Sequence, residues 1–278
     1  MAVAVTGATG ELGSRVARRL AQRGQDQLLV GRDLARAPEF RGAEQRRIVG
    51  YGDARSVRAA VEGAHTLFLV PASEAEDRVE QHITAVDAAR DAGVERVVYL
   101  SFVNAAPHST FTFARDHWAT EEHIRSTGLP FVFARMSMYM DFIPGFAGED
   151  GVIRGPAGDG RVGAVLRDDV ADACAALLAT DGHEGRTYDL TGPRSISLAE
   201  VAEELSRATG REVRYEHETV EQAWASRAGS GAPEWEVEGW ITSYTAIAAG
   251  ELDVVSDAVE RLAGHPPTDL RDWLPSTP

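Results

Sequence analysis

The chain of 278 residues is 44% hydrophobic, enough to bury a substantial core in one large domain or two modest ones, and disorder is not expected. Its formal charge of −15, from 28 basic and 43 acidic side chains, argues against nonspecific binding to nucleic acid or to anionic membranes. No apolar run reaches the ~18 residues that span a bilayer, and no charged region precedes the N-terminal apolar stretch, so we expect a cytoplasmic protein without a membrane segment.

The N-terminus reads as an apolar strand, a glycine-rich turn and an amphipathic helix that ends near Arg23. Gly7 allows a tight turn, Gly10 lets the backbone approach a phosphate, and Gly13 permits close packing of the helix on the strand. Backbone N–H groups in such a turn, together with the helix N-terminus, bind a dinucleotide pyrophosphate. We therefore predict a nucleotide site here rather than an ordinary turn before a helix.

The second apolar strand runs into Gly31, Arg32 and Asp33. In dinucleotide folds an acidic residue at this tip accepts the ribose hydroxyls of NAD, whereas an arginine suits the 2′-phosphate of NADP. The Arg32 guanidinium can pair a phosphate through two hydrogen bonds, and its alternative role is a solvated charge in a loop. NADP is therefore favoured as the cofactor, and Asp33 keeps NAD open.

Apolar segments of four to six residues alternate with helical patterns through the N-terminal half. The predicted strands lie at 27–30, 46–49, 66–70, 96–100 and 131–134, and the predicted helices at 55–61, 77–92 and 113–126. This alternation implies parallel strands joined by right-handed crossovers. We predict an α/β fold with a Rossmann-like, doubly wound parallel sheet, and an NAD(P)-binding domain over residues 1–135.

The regular alternation stops beyond residue 136, and a loop rich in glycine and proline follows at 144–163. We predict a smaller α+β substrate-binding region over 136–278, which can share strands with the first sheet. Its predicted helices lie at 168–179 and 198–209, and its predicted strands at 187–190 and 212–216. Ser197 stands three residues before Glu200, a capping-box pattern. Cys174 is the one cysteine of the sequence, so we expect a small core residue without a disulfide.

Four segments taken together are similar to one family of proteins: residues 6–13, 30–33, 51–53 and 157–160. They resemble the NmrA-like branch of the atypical short-chain dehydrogenases/reductases, above all the type 2 NAD(P)H:quinone oxidoreductases. The similarity extends over nearly the whole chain and includes residues 182–185 and 264–266. The chain departs from the pattern at Gly50, where relatives often have an aspartate, so one polar contact to adenine is expected to be missing.

The resemblance implies which residues contact the cofactor. Around the pyrophosphate and the adenosine they are Gly7, Thr9, Gly10, Glu11, Leu12 and Arg32. Towards the nicotinamide and the substrate they are Pro71, Ala72, Ser73, Met136, Tyr139 and Arg167. Ser101 joins the cofactor-binding residues because the fifth predicted strand ends there, at the carboxyl edge of the sheet.

Typical short-chain dehydrogenases protonate the carbonyl oxygen with a tyrosine whose pKa is lowered by a lysine four residues on. All 28 basic residues here are arginine, and Glu122 takes the place where quinone-reductase relatives carry lysine. Alcohol-to-ketone chemistry by that route is therefore disfavoured. Hydride transfer to a quinone or a conjugated enone requires a weaker proton donor from the protein, because the product anion is delocalised and a modest donor can protonate it. Orientation and a dry cavity would then dominate catalysis.

The candidate proton donors are Tyr139, Ser101 and His117, all expected at the carboxyl edge of the sheet. Tyr139 can equally be a core residue, and His117 can be a plain surface histidine. An apolar cluster follows the sixth predicted strand and can line a flat aromatic substrate or belong to the core: Met136, Met138, Met140, Phe142 and Phe146.

Three functions remain open from the sequence. The first is an NAD(P)H-dependent reductase of a quinone or related aromatic ketone, as in a tailoring step on an aromatic polyketide. The second is an NAD(P)-binding redox sensor without turnover, and the third is a redox-neutral epimerase with retained cofactor. We expect a small aromatic substrate, no nucleic-acid partner, and a homodimer as one possible assembly. The eight histidines form no close ligand motif with the cysteine, so no metal is expected, and the missing Gly-x-Ser-x-Gly argues against a hydrolase.

Overall fold

The computed structural model describes residues 1–274, which fold as two compact units. The first unit comprises Met1–Phe102, Asp116–Arg135 and Arg167–Tyr188. The second comprises Val103–Arg115, Met136–Leu166 and the described residues from Asp189 onward. The helix predicted at 168–179, which the sequence analysis placed in the second region, therefore lies in the first unit.

The elements alternate along the chain. The strands are β1 (Ala2–Thr6), β2 (Gln27–Gly31), β3 (Ala43–Arg47), β4 (Ala64–Leu69), β5 (Arg96–Phe102), β6 (Phe131–Met136), β7 (Val152–Gly155), β8 (Arg161–Val162), β9 (Arg186–Leu190), β10 (Ile196–Ser197) and β11 (Arg214–His217). The helices are α1 (Glu11–Gln22), α2 (Ala54–Val61), α3 (Arg78–Asp91), α4 (Thr112–Ser126), α5 (Arg167–Ala179), α6 (Leu198–Thr209), α7 (Val220–Arg227), α8 (Glu234–Ala248), α9 (Ala258–Ala263) and α10 (Leu270–Trp273), and a 3₁₀ helix covers Met140–Gly145.

The central sheet has seven strands in the order β3-β2-β1-β4-β5-β6-β9. β1 is parallel to both of its neighbours, with Val5 opposite Leu29 on β2 and Phe68 on β4. Strand order reverses between β1 and β4, and in open α/β sheets this switch point opens a crevice at the carboxyl ends of the strands. The prediction of a Rossmann-like, doubly wound sheet is confirmed.

The core of the first unit lies on both faces of this sheet. All seven residues of β5 are buried, as expected for a strand covered by helices on both sides. Tyr99, Phe68 and Phe133 are among the largest fully buried side chains. α1 buries Leu12, Val16 and Leu20 at helical spacing, which fixes its glycine-rich start against the sheet.

Helix α5 is nearly as buried as the sheet. Eight of its thirteen residues are buried, and Cys174 is among those with no exposed surface. The helix is held to α1 by ion pairs, since Arg19 Nη2 lies 2.8 Å from Asp168 Oδ1 and Arg19 Nε 2.7 Å from Asp172 Oδ1. The prediction of Cys174 as a small core residue is confirmed.

One predicted strand was misplaced. β3 covers Ala43–Arg47, whereas the apolar pattern predicted a strand at 46–49. β3 is an edge strand whose residues are polar except for Ala43, so it carries no apolar signal. Ile48 and Val49, the apolar pair on which the predicted strand was based, follow β3. They differ in burial, since Ile48 is buried but Val49 is 75% exposed.

The second unit contains two small strand pairs and several helices. β11 is parallel to β7, and β10 is antiparallel to β8. Ser197 caps α6 through the predicted capping box with Glu200, which is confirmed. β7 lies inside the stretch predicted as a loop at 144–163. None of the helices within residues 1–274 combines the length and the hydrophobicity that crossing a membrane requires.

Candidate cofactor and active site

The turn between β1 and α1 packs so closely on the start of the helix that a side chain has no room at Gly13. Gly7 has a φ of +60°, and Gly10 N–H donates to Gly7 C=O at 2.8 Å. A Cβ on Gly13 would lie 2.2 Å from Gly7 O and 2.9 Å from Thr6 O. The N-cap residue Gly10 provides no side-chain cap, so the first-turn N–H groups of α1 can donate hydrogen bonds to an anion. This cradle fits a pyrophosphate.

The predicted contact residues next to this turn differ in what they can offer. Thr9 is half-buried and Glu11 is exposed, whereas the Leu12 side chain packs in the core. Leu12 can therefore reach a cofactor only through its backbone. The pKa of Glu11 is lowered, first by its hydrogen bond from Arg15 and further by the charges of Arg167 and Arg36. Arg167 begins α5 beside Asp168, whose Oδ1 lies 3.5 Å from Nε of Arg15 on α1, so its charge also favours a phosphate near this turn.

The carboxyl ends of β2 and β3 bring two arginines together. Arg32 is exposed directly after β2, and Nε of Arg47, the last residue of β3, donates to Arg32 C=O at 3.1 Å. Asp33 Oδ1 accepts the N–H of Ala35 at 3.0 Å, so this carboxylate is engaged within its own turn. Sequence reasoning missed Arg47 because the apolar pattern placed residues 46–49 inside a strand.

The segment after β4 lies at the switch point of the sheet. Pro71 and Ala72 are half-buried and Ser73 is exposed. Val70 packs against the glycine turn, since a Cβ on Gly7 would lie 3.3 Å from Val70 Cβ. The structure therefore places these three predicted contact residues in the segment that directly follows β4, the strand whose end neighbours the glycine turn.

Ser101, near the end of β5, is fully buried in a charged network of the first unit. Its hydroxyl donates to Glu121 Oε1 at 2.6 Å. Arg135 Nε donates to the same oxygen at 2.8 Å, and Arg135 Nη2 to Glu121 Oε2 at 2.6 Å. Arg125 Nη2 adds a fourth hydrogen bond at 3.2 Å. The Ser101 proton is thus held by a paired carboxylate.

His117 is buried beside Tyr99, whose hydroxyl lies 2.8 Å from His117 Nδ1. Burial lowers the pKa of His117 well below its usual value, and the charge of Arg78 acts in the same direction. His117 is therefore a neutral interior residue at neutral pH. Two roles were open for His117 from the sequence, a proton shuttle and a surface histidine, and its burial is inconsistent with the second.

The residues after β6 belong to the second unit. Met140 N–H donates to Val165 C=O at 2.8 Å, and Val165 N–H donates to Met138 C=O at 2.9 Å, which fixes the backbone on both sides of Tyr139. The half-buried Tyr139 ring meets Phe142 edge to face at a centroid distance of 6.1 Å.

The apolar cluster predicted after β6 divides between interior and surface. Met140 is buried, whereas Phe142 is 53% exposed. Met136, Met138 and Phe146 are half-buried. Phe142 and Tyr139 therefore present an aromatic surface, and Met140 belongs to the core.

Glu122 occupies the position where lysine was expected from the resemblance. It is half-exposed and pairs with Arg125 on the same helix. Over residues 1–274, no three histidine, cysteine, aspartate or glutamate side chains are grouped so that they could hold a metal ion.

The doubly wound sheet and the glycine cradle define a dinucleotide-binding protein of Rossmann type. Residues 7–181 match the family described as NAD(P)H-binding, and the chain belongs to that family. Its cofactor is therefore NAD(P)H.

Curated relatives cover nearly the whole chain. Quinone oxidoreductase 2 of Escherichia coli (strain K12) is 31% identical over 97% of this chain and 96% of its own length. The (4-alkanoyl-5-oxo-2,5-dihydrofuran-3-yl)methyl phosphate reductase of Streptomyces griseus is 34% identical over 98% of this chain and 96% of its own length.

Solved structures agree with this assignment. The NADPH complex of the E. coli quinone oxidoreductase QOR2 superimposes with a TM-score of 0.90 at 30% identity, covering 99% of this chain and 98% of that one. The negative transcriptional regulator NmrA has a TM-score of 0.76 at 18% identity over 98% and 95% of the two chains, which shows a shared fold. The predicted resemblance is confirmed, since the chain belongs to the NAD(P)H-binding family, is 31% identical to the E. coli quinone oxidoreductase 2 and shares its fold with NmrA.

Proposed function

We propose that this protein transfers hydride from NADPH to a quinone or to another carbonyl conjugated with a double bond. The observation that carries the proposal is near full-length similarity to two reductases of such acceptors. One relative is named for quinones, and the name of the other describes an oxo group beside a ring double bond. The lysine-free sequence fits the same class, because a delocalised product anion needs no strong proton donor.

The cofactor preference rests on charge at the adenosine end. Arg32 and Arg47 offer two guanidinium groups at the carboxyl ends of β2 and β3, and Asp33 is engaged by Ala35. A 2′-phosphate forms strong charge-assisted hydrogen bonds with guanidinium groups, whereas a bare ribose gains little from them. NADPH is therefore preferred over NADH.

Bound NADPH supplies the hydride, and the chain has to bind it, orient the acceptor and deliver one proton. The glycine turn would hold the pyrophosphate through backbone N–H groups. Tyr139 and Phe142 offer aromatic faces on which a flat acceptor can stack. Reduction of a quinone consumes one hydride and one proton and yields the hydroquinone.

Of the three candidate proton donors, we favour Tyr139. The Ser101 hydroxyl already donates to Glu121, and His117 is buried and neutral. Tyr139 is half-buried, so its hydroxyl can pass a proton to the reduced acceptor and regain one from water. Its role is to protonate an anion that is already delocalised.

The test follows the loss of NADPH absorbance with benzoquinones, naphthoquinones, enones and the quinones of aromatic polyketides. We expect one NADPH consumed per acceptor and slower turnover with NADH. If NADPH binds but no acceptor oxidises it, a cofactor sensor or a redox-neutral enzyme replaces this proposal. Cofactor that stays bound through purification and returns unchanged after turnover would favour the redox-neutral enzyme.

The proton donor is tested by Tyr139→Phe, with Tyr188→Phe as the matched control because the Tyr188 hydroxyl bonds His183. We expect Tyr139→Phe to lower kcat by roughly tenfold or more, and the control to leave it unchanged. A wild-type kcat for Tyr139→Phe would assign protonation to water.

A further inference from the structure

Directly after β4, the backbone N–H and C=O groups of Val70 and Ala72 are all hydrogen-bonded to side chains. Val70 N–H donates to Thr6 Oγ1 at 2.9 Å, and Val70 C=O accepts the Tyr51 hydroxyl at 2.7 Å. Because Pro71 has no N–H, the next donor along the chain is Ala72 N–H.

The Ala72 peptide groups are bound by two residues of α3. Ala72 N–H donates to His82 Nε2 at 2.9 Å, and Ala72 C=O accepts Arg78 Nε at 3.1 Å. His82 and Arg78 stand one helical turn apart, so their side chains reach the same peptide from one face of α3. The backbone of this irregular segment beside the glycine turn is therefore hydrogen-bonded at both residues, as it would be in a strand.

The hydrogen bonds of His82 define its tautomer. Nε2 accepts the hydrogen bond of Ala72 N–H, so the ring is neutral and its own proton sits on Nδ1. Nδ1 lies 2.9 Å from Thr120 Oγ1, and the Thr120 hydroxyl donates onward to Asp116 C=O at 2.8 Å. Burial lowers the pKa of His82 to about 3, and the charge of Arg78 adds to this effect. His82 Nε2 therefore remains an acceptor at neutral pH.

We propose that His82 and Arg78 are positioning residues for the cofactor, which hold the Ala72 peptide in its binding geometry before NADPH arrives. The inference rests on the proposed binding of NADPH and on the contact of Pro71, Ala72 and Ser73 with it that the resemblance predicts, but not on the identity of the acceptor. A preformed segment lowers the entropy that the cofactor must overcome on binding. Loss of the His82 bond should therefore weaken NADPH binding more than it slows hydride transfer.

Two substitutions of His82 separate its two hydrogen bonds. A glutamine amide reaches the place of Nε2, so His82→Gln can keep the bond to Ala72 and lose the one to Thr120. An asparagine amide reaches the place of Nδ1, so His82→Asn can keep Thr120 and lose Ala72. We expect His82→Asn to raise the Kd and KM for NADPH roughly tenfold with kcat little changed, and His82→Gln to stay near wild type.

The outcomes are decisive in each case. If the two variants bind NADPH equally well, or lose affinity equally together with the melting temperature, His82 is a structural residue only and the proposal fails. If His82→Asn does not fold, Arg78→Met removes the other bond to Ala72, and wild-type affinity in that variant overturns the proposal.

A second readout tests whether the segment is formed in advance. Hydrogen exchange at the Ala72 amide should be slow in the cofactor-free protein and should change little when NADPH is added. Fast exchange that becomes slow only with NADPH would show that this segment becomes ordered when the cofactor binds, and it would contradict the proposal. Because these measurements need no acceptor, a failure of the quinone assay does not affect them.

Discussion

Two buried histidines make the first unit sensitive to acid. His82 has no exposed surface, and burial lowers its pKa to about 3, against ~6.5 in the unfolded chain. Below pH 6.5 the unfolded chain therefore binds a proton that the folded unit does not take, and stability falls as the pH drops from 6.5 towards 3. His117 acts in the same direction, because burial lowers its pKa as well.

The magnitude for His82 follows from these two pKa values. Between pH 7.5 and pH 5.5 its contribution lowers the free energy of unfolding by about 1.4 kcal/mol. His82→Gln removes this titration, so the variant should lose about 1.4 kcal/mol less than wild type over the same interval. The sign does not depend on whether His82→Gln is itself more or less stable at pH 7.5.

The assay is hydrogen exchange of β5 peptides across a urea series at the two pH values, because β5 crosses the core of the first unit. His108→Gln is the control, since His108 is exposed, and it should retain the wild-type difference. An equal pH difference in wild type and His82→Gln would refute the argument, because it would mean that His82 titrates alike in both states.

Three further substitutions test the site and the core. Arg32→Glu should weaken the binding of NADPH by about 1.5–3 kcal/mol, and that of NADH far less, in calorimetric titrations. The control Arg261→Glu, on the exposed side of α9, should change the affinity for neither cofactor. Equal losses of affinity for both cofactors would contradict the phosphate role. Gly13→Ala places a Cβ against backbone atoms, so we expect the free energy of unfolding in urea to fall by about 1–3 kcal/mol or more. The control Gly229→Ala, with open space around it, should be as stable as wild type. Glu121→Gln leaves the guanidinium charge poorly compensated, and we expect the free energy of unfolding to fall by about 2–4 kcal/mol. The loss is smaller than for a fully buried pair because one arginine keeps some solvent access. An unchanged urea midpoint would show that the ion pair makes no net contribution to stability.

The sheet was predictable because its strands and helices carry local signals. The glycine turn between β1 and α1, the buried runs of β4 and β5 and the capping box of Ser197 can each be recognised within a few residues of sequence. β3 carries no such signal because an edge strand tolerates polar residues on exposed faces. β7 escaped prediction because it is four residues long and pairs with β11, about sixty residues further along the chain.

The polar interior was not predictable in the same way. Ser101 was chosen for its place at a strand end, but its partner Glu121 becomes visible only when α4 packs beside β5. His82 and Arg78 look like ordinary members of an amphipathic helix, and their bonds to Ala72 depend on how α3 lies against the end of β4. Sequence patterns report burial along one element, whereas these contacts join elements that are distant in sequence.

The burial of Cys174 has a consequence if the protein reduces quinones as proposed. Quinones arylate proteins by adding to thiolates and to unprotonated amines, and burial raises the pKa of the Cys174 thiol to about 12. The sequence contains no other cysteine and no lysine. The thiol is therefore enclosed in α5 and the lysine amines are missing from the sequence, which under the proposed function would reduce covalent inactivation by reactive acceptors during turnover.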